Sequence, residues 1–202
     1  MGADDLSAAL LSLDEITRRL RMECPWDREQ DERSIVPHTV EEAYELADAA
    51  HSGDDAKLVD ELGDVLFQVY FLALLLEERG GVGLAEVADH VREKLIRRHP
   101  HVFAAGEAAT SADVLRNWDR IKRDVEGTGE LFGPIPETLP STLYAKKVLR
   151  RARGAGREWG GPGDDAGELL LAAVRDAVDA GVDPELALRQ AADRFKDEVE
   201  AG

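Results

Sequence analysis

The chain has 202 residues and a formal net charge of −17 at pH 7, with 33% charged but only 5% aromatic residues. A charge this negative argues against nucleic acid as a partner, because phosphate backbones are bound by clustered Lys and Arg side chains. The length suits one domain with room for an appendage, and the single cysteine excludes an intramolecular disulfide bond, which fits a reducing cytoplasm.

The N-terminal segment predicts an amphipathic helix followed by an ordered loop. Apolar residues recur every three or four positions between Leu6 and Met22, which indicates a helix with one apolar face. Cys24-Pro25-Trp26 should end this helix, because a proline disfavours helical geometry in the residue before it. We predict that residues 27–38 form an ordered loop. The acidic start of the chain does not fit a signal-peptide pattern, so we expect a cytoplasmic protein.

Two carboxylate clusters lie on the next two predicted helices, which run over about Thr39–His51 and Asp54–Arg79. The first cluster is Glu41-Glu42-Ala43-Tyr44-Glu45, and the second is Glu61-Leu62-Gly63-Asp64. Carboxylates three or four residues apart share a helix face, and the short connector can fold the second helix back antiparallel to the first. Such crowding raises carboxylate pKa values unless a cation neutralises the charges. A hard cation such as Mg²⁺ is the best match to these oxygens.

The second of these helices is apolar nearly all round between Val65 and Leu76, which predicts a buried central helix. A polar stripe nevertheless runs along it at steps of four, three and four residues: Lys57, Glu61, Asp64 and Gln68. Unpaired polar groups are costly on a buried helix, so this stripe should have partners or a ligand.

A structural explanation exists for one glutamate of the first cluster. Thr39-Val40-Glu41-Glu42 fits a capping box with Glu42 at the third helical position. Any single glutamate could likewise belong to a solvated face. The joint pattern of two carboxylate pairs at helical spacing, one on a buried helix, favours a metal site instead.

The third predicted helix, over about Leu84–Arg98, ends in a basic cluster within an otherwise acidic chain. Its members are Lys94, Arg97, Arg98 and His101. Cations near a helix C-terminus interact favourably with the helix dipole, which would be a purely structural role. The guanidinium group also presents a fork of donors to phosphate oxygens. Beside a carboxylate metal site, we favour phosphate recognition.

The remaining chain predicts a further helix over Ser111–Val125, a Gly- and Pro-rich linker, and a helical C-terminal region. Within that region we expect helices over about Leu143–Arg153, Glu168–Ala180 and Pro184–Glu200. The predicted domain organisation is therefore residues 1–126, a linker at 127–142, and residues 143–202.

Three motifs together carry a resemblance to a known family. The pattern Glu-Glu-x-x-Glu followed by Glu-x-x-Asp resembles the all-α nucleoside triphosphate pyrophosphohydrolases. Cys24-Pro25-Trp26-Asp27-Arg28-Glu29-Gln30 and the stretch from Lys94 to Phe103 resemble the MazG branch. The resemblance covers about residues 10–125. It implies hydrolysis of canonical or non-canonical nucleoside triphosphates to the monophosphate and pyrophosphate, with a role in clearing unwanted nucleotides.

The resemblance also implies roles for individual residues. The metal ligands would be Glu42, Glu45, Glu61 and Asp64, holding Mg²⁺ with Mn²⁺ as an alternative ion, and Glu41 would support them or act as general base. Phosphate contacts would come from Lys57, Lys94, Arg97 and Arg98, and Trp118 would lie near the base. His38 departs from the family, because some relatives have Lys there. For Trp26, we favour packing as a loop anchor over stacking on a base.

The C-terminal region contains a faint internal echo. The segment Asp165-Ala166-Gly167-Glu168 mimics Glu61-Leu62-Gly63-Asp64 with the carboxylate types exchanged. The family that the chain resembles includes proteins with two such domains in tandem. No Glu-Glu-x-x-Glu accompanies the second copy. We interpret residues 143–202 as a degenerate partial repeat without a second site.

The fold we expect is an all-α, antiparallel helical bundle with two carboxylate-bearing core helices. The wide apolar surface of Val65–Leu76 suggests that a homodimer completes it. The expected partner molecule is a nucleoside triphosphate, with no nucleic acid and no membrane. Two other classes stay open: a catalytically silent interaction module, and a di-iron bundle. The second would need paired Glu-x-x-His motifs, and only Asp48-Ala49-Ala50-His51 comes near.

Overall fold

The computed structural model describes residues 2–104, 110, 113–114, 117, 121 and 131–202. Throughout these residues the regular secondary structure is helical, which confirms the all-α class. The helices are α1 (Ala3–Glu23), α2 (Pro25–Glu29), α3 (Glu32–Ser52), α4 (Asp55–Glu78), α5 (Leu84–Arg98), α6 (Pro100–Phe103), α7 (Ser141–Gly154), α8 (Ala166–Asp179) and α9 (Pro184–Ala201). None of the described helices is both long enough and apolar enough to cross a membrane.

The chain divides into two compact units, Met1–Lys94 and Leu95–Gly202, with the division in the last turn of α5. The predicted boundary at residues 126 and 127 falls on residues that the structure does not describe, so that division stays a prediction. The predicted helix over Ser111–Val125 also lies largely outside the described residues, as does Trp118.

The first carboxylate helix begins earlier than predicted, because α3 starts at Glu32 instead of Thr39. The helix is capped by Asp31, whose Oδ1 accepts hydrogen bonds from the backbone N–H groups of Arg33 and Ser34, each 2.8 Å long. The prediction of a loop over residues 27–38 is therefore wrong, since α2 occupies its start and α3 its second half.

The predicted capping box at Thr39 is also wrong. Thr39 lies inside α3, and its hydroxyl group donates to the carbonyl oxygen of Ile35 at 3.3 Å. Glu42 is consequently a mid-helix residue, and the capping explanation for it is removed.

The core of the first unit lies where α4 packs against α3 and α1. Ile35, Phe71 and Leu75 are almost fully buried at its centre, with Phe67 and Leu72 beside them. One side of α4 is buried as predicted, but the opposite side is not. Its exposed apolar residues are Leu62, Leu66 and Val69, with 50%, 39% and 42% of their surface accessible.

The second unit contains α7, α8 and α9, which pack against one another. Asp165 caps α8 and Asp183 caps α9 by accepting backbone N–H hydrogen bonds. Asp183 also pairs with Lys146 of α7 at 2.6 Å, and these bonds lower the pKa of its carboxyl group in spite of the desolvation that opposes them. The bounds of these three helices agree with the sequence prediction to within two residues at each end.

Candidate metal centre

Three glutamates converge between α3 and α4. Glu42 and Glu45 are three residues apart on α3 and therefore share a face, and Glu61 approaches them from α4. One carboxylate oxygen from each lies within 4.8 Å of the other two. This separation is only slightly larger than the distance of about 4 Å between opposite oxygens around one octahedral Mg²⁺.

The connection between the helices explains why they meet. Gly53 ends α3 with a positive φ of 71°, a conformation that glycine adopts without steric cost. Asp54 then caps α4 by accepting from the N–H groups of Ala56 and Lys57 at 3.0 and 3.3 Å. This two-residue link turns the chain back, so that α3 and α4 form a helical hairpin.

A second polar contact joins the helices farther from the link. The Thr39 hydroxyl lies 3.4 Å from Oε1 of Gln68, whose side chain is 7% exposed. The two helices are antiparallel, because Thr39 precedes Glu45 on α3 whereas its partner Gln68 follows Glu61 on α4. The Gln68 position of the predicted polar stripe thus has its partner, while Glu61 on the same stripe faces other carboxylates.

The electrostatics of the cluster are unfavourable for anions alone. Desolvation raises the pKa of Glu42 above its ordinary range, and the negative charges of Asp64, Glu45, Glu61 and Glu41 raise it further. Desolvation likewise raises the pKa of Glu61, followed by Glu45, Asp64 and Asp60, with Lys57 acting weakly in the opposite direction. Repulsion of this kind is relieved by protonation or by a cation.

Two buried oxygen atoms in the cluster lack a hydrogen-bond donor. They are Oε2 of Glu42 and Oε2 of Glu61. Buried polar atoms in proteins normally have a partner, and an exception calls for an explanation such as an ion or water. The donor set consists of carboxylate oxygens, which suits Mg²⁺ or Mn²⁺ better than a metal that prefers Cys or His. The residues present therefore fit a hard divalent cation.

The remaining predicted acidic residues lie around this group. Asp64 is exposed and is not one of the three converging residues, although its charge acts on both Glu42 and Glu61. Glu41 is exposed, and its Oε2 lies 3.8 Å from Nδ1 of His38. Ligation by Asp64 and proton transfer by Glu41 stay predictions.

The predicted basic residues are placed as follows. Lys57 is exposed on α4, one turn before Glu61. Lys94 is half-buried on α5, and Arg97 and Arg98 occupy the last turn of the same helix, in the second unit. Contacts of these four side chains with phosphate stay predictions.

The di-iron alternative receives no support from the described residues. Nδ1 of His51 is hydrogen-bonded to the carbonyl oxygen of Ala47 in the preceding turn, at 2.6 Å. Among the described residues, the one cluster of at least three potential ligands consists of glutamates alone. A di-iron bundle would require histidines within the cluster.

The carboxylates of the C-terminal echo are hydrogen-bonded to backbone N–H groups at and just before the start of α8. Oδ1 of Asp165 accepts from the N–H groups of Gly167 and Glu168, and Oε2 of Glu168 accepts from the N–H of Gly163 at 2.6 Å. The described part of the second unit contains no group of three converging ligands. Its origin as a partial repeat stays an interpretation.

One aromatic contact beside the cluster was not predicted from the sequence. The rings of Trp26 and His38 meet edge to face, with centroids 5.9 Å apart and an interplanar angle of 67°. His38 is four residues before Glu42 on α3, and this spacing was the signal in the sequence that linked it to the carboxylate face.

The chain is similar to several known proteins. A model of the MazG nucleotide pyrophosphohydrolase domain matches residues 30–103, which include α3, α4 and α5. A nucleoside triphosphate pyrophosphohydrolase of Escherichia coli (strain K12) is 34% identical over 86% of this chain and 78% of its own length. An uncharacterized 26.1 kDa protein of Streptomyces cacaoi is 40% identical over 99% of this chain and 85% of its own length. The crystal structure of a MazG-related protein from Thermotoga maritima is 26% identical, with a TM-score of 0.49, and covers 56% of this chain and 98% of that one.

Proposed function

Because this chain belongs to the MazG nucleotide pyrophosphohydrolase family, we propose that it hydrolyses nucleoside triphosphates to the monophosphate and pyrophosphate with a divalent cation at the glutamate cluster. The observation that carries the proposal is the convergence of Glu42, Glu45 and Glu61, two of them with buried, unpaired oxygens. Mg²⁺ is the proposed ion and Mn²⁺ an alternative, since both prefer oxygen ligands.

The cluster residues would divide the work of binding and proton transfer. Glu42, Glu45 and Glu61 would hold the cation, and Asp64, whose charge already acts on two of them, would complete the set. A cation bound there would supply phosphate charge neutralisation and an activated water. Glu41 would be the general base, because its carboxylate is exposed and adjacent to the ligands.

The basic residues would compensate phosphate charge that the cation does not neutralise. Lys57 is the first candidate, because its positive charge already acts on Glu61. Lys94, Arg97 and Arg98 would contribute charge-assisted hydrogen bonds to phosphate oxygens. Trp118 would contact the base. These roles rest on the family's motif.

We further propose that a second copy of the chain completes the helical bundle. The exposed side of α4 carries Leu62, Leu66 and Val69. Exposed apolar patches of this kind mark interfaces more often than isolated surface residues do. A cleft of about 770 Å³ beside this surface is lined by Leu10 and Leu11 of α1 and by the first two turns of α5. A bundle of antiparallel helices from two chains would cover this face.

The test is turnover of a panel of canonical and modified nucleoside triphosphates with Mg²⁺, with Mn²⁺ and with EDTA. Chromatography should show nucleoside monophosphate and pyrophosphate, and EDTA should abolish the reaction. Glu45→Gln should remove turnover, because Glu45 is one of the three converging ligands. Asp48→Asn is the matched control, an exposed carboxylate on the same helix outside the cluster.

Other products or none would change the assignment. Release of nucleoside diphosphate and orthophosphate would overturn the cleavage position. Absence of turnover with every triphosphate would favour the silent interaction module. Preference for modified over canonical nucleotides in the same panel would support a role in clearing the nucleotide pool.

A further inference from the structure

Trp26 lies on the surface but is held by a rigid support. It is the second residue of α2, a helix of five residues that starts at Pro25. The residue is 51% exposed. Single exposed apolar residues are common on protein surfaces, so exposure alone would carry no function.

The support consists of hydrogen bonds that fix the backbone around Trp26. The guanidinium group of Arg21 donates to the carbonyl oxygens of Asp27 and Gln30, and it pairs with Glu78 of α4 at 2.9 Å. The Gln30 side chain donates to the carbonyl oxygen of Trp26 at 2.8 Å.

The same arginine connects this segment to the core. The Arg21 side chain is only 18% exposed. Its Cζ lies 6.0 Å from the ring centroid of Phe71, which is buried at the centre of the first unit. The position of Trp26 is therefore fixed by the fold, although half of its surface remains open.

The ring of Trp26 also lies beside the candidate metal centre. It meets His38 edge to face, and His38 in turn is 3.8 Å from Glu41. At 1.5 Å rise per residue, His38 lies about 6 Å along the helix axis from Glu42 and about 10 Å from Glu45. An edge-to-face contact occupies the rim of one ring and leaves a face of the other available for stacking.

We infer that Trp26, braced by His38, is a stacking subsite for the base of the nucleotide whose phosphates the glutamate cluster would hold. The base and the phosphates are the two ends of one elongated molecule, so their subsites must be separate and on the same surface. Aromatic side chains stack on any base, because every base has a π-face. The inference rests on the proposed nucleotide substrate and adds a residue that contacts its base.

The test compares two ligands that differ only in the base and that the enzyme does not cleave. They are a nucleoside monophosphate and ribose 5-phosphate, titrated calorimetrically with Mg²⁺ into the full chain. Trp26→Ala should weaken monophosphate binding by about 5- to 150-fold, the range for loss of one base-stacking contact. Binding of ribose 5-phosphate should not change. In turnover assays KM should rise more than kcat falls.

Two further substitutions keep the test informative if the alanine variant folds poorly. Trp26→Phe retains an aromatic face and should bind the monophosphate nearly as well as the wild type does. Trp26→Leu retains apolar bulk without a π-face and should resemble the alanine variant. Trp159→Ala is the matched control, because it removes an indole that packs against Arg175 in the second unit.

Three results would overturn the inference. One is equal weakening of both ligands, which indicates a structural role for Trp26. A second is an unchanged affinity of the Trp26 variants for the monophosphate. This result includes the case in which only Trp118→Ala removes base-dependent binding. If the wild type still hydrolyses triphosphates in either case, the proposed function stands without the subsite. A wild type that neither binds nor hydrolyses any nucleotide removes both proposals.

Discussion

The substitution Glu42→Gln should have opposite consequences for stability with and without a divalent cation. The change keeps the size of the side chain and removes one negative charge from the cluster. Oxygens of Glu45 and Glu61 lie within 4.8 Å of a Glu42 oxygen. In EDTA, removal of this repulsion should make the variant more stable than the wild type.

The magnitude follows from Coulomb's law. Two unit charges 4.8 Å apart repel by about 0.9 kcal/mol at the dielectric constant of water. Glu42 has two such neighbours, so the variant should gain about 1–2 kcal/mol in low salt. Salt screens exposed charges, and the gain should shrink as ionic strength rises.

With a cation present the order should reverse. A ligand that binds only the folded state stabilises it by about 2.7 kcal/mol at a hundredfold excess over its dissociation constant. The wild type should show this gain with Mg²⁺. The variant has lost one of three converging carboxylates and should show little of it.

The assay is thermal or urea unfolding of wild type and variant in EDTA and in a Mg²⁺ series, at two salt concentrations. Asp48→Asn serves as the control for removal of an acidic charge from α3 outside the cluster. A variant that is less stable than the wild type in EDTA, and that gains as much from Mg²⁺, would refute the argument that the cluster is a repulsive cation site.

Two other predictions follow from the same surfaces. The pKa values of Glu42 and Glu61 are raised in the folded protein. Without metal, their contribution to stability is therefore fully present below the unfolded-state pKa and is lost as pH rises through the higher folded-state pKa. Unfolding in EDTA between pH 4 and 8 should show this loss of stability, and Mg²⁺ should reduce the loss at neutral pH. Leu66→Glu should convert a dimer to a monomer in sedimentation, because Leu66 lies on the exposed apolar side of α4. The control Leu169→Glu, an exposed leucine of the second unit, should leave the association state unchanged, and a monomeric wild type would contradict the proposed interface.

The convergence of the glutamates was predictable because every step was local. Helical spacing places Glu42 and Glu45 on one face. The short link at Gly53 and Asp54 turns the chain back with few alternatives. The apolar run of α4 then identifies which helix lies against the core. None of these steps required knowledge of a contact between distant segments.

The start of α3 was predicted wrongly, because the pattern Thr39-Val40-Glu41-Glu42 fits a capping box. The structure has its capping box earlier, at Asp31 and Ser34. A proline inside a helix removes a backbone hydrogen bond, so Pro37 is a local signal against this earlier start. In the structure α3 contains Pro37, and the burial of Ile35 against Phe71 is a tertiary contribution that sequence spacing does not reveal.

The contact between Trp26 and His38 could not be predicted for a related reason. It depends on the orientation of α2, which is set by the donation of the Arg21 guanidinium group to two backbone carbonyls. Backbone acceptors leave no signature in the sequence. Sequence evidence alone favoured packing over base stacking for Trp26, and only the structure shows how α2 holds it beside His38.

The position of the glutamate cluster within the hairpin explains how the fold tolerates it. On one side the helices are joined by the capped link at Gly53 and Asp54. On the other side they are held by the buried contact of Ile35 with Phe71. The repelling carboxylates lie between these two fixed points, so repulsion cannot separate the helices without disrupting the link or the core. A site held in this way is preorganised, and cation binding should then change the free energy of unfolding without changing the helix content measured by circular dichroism.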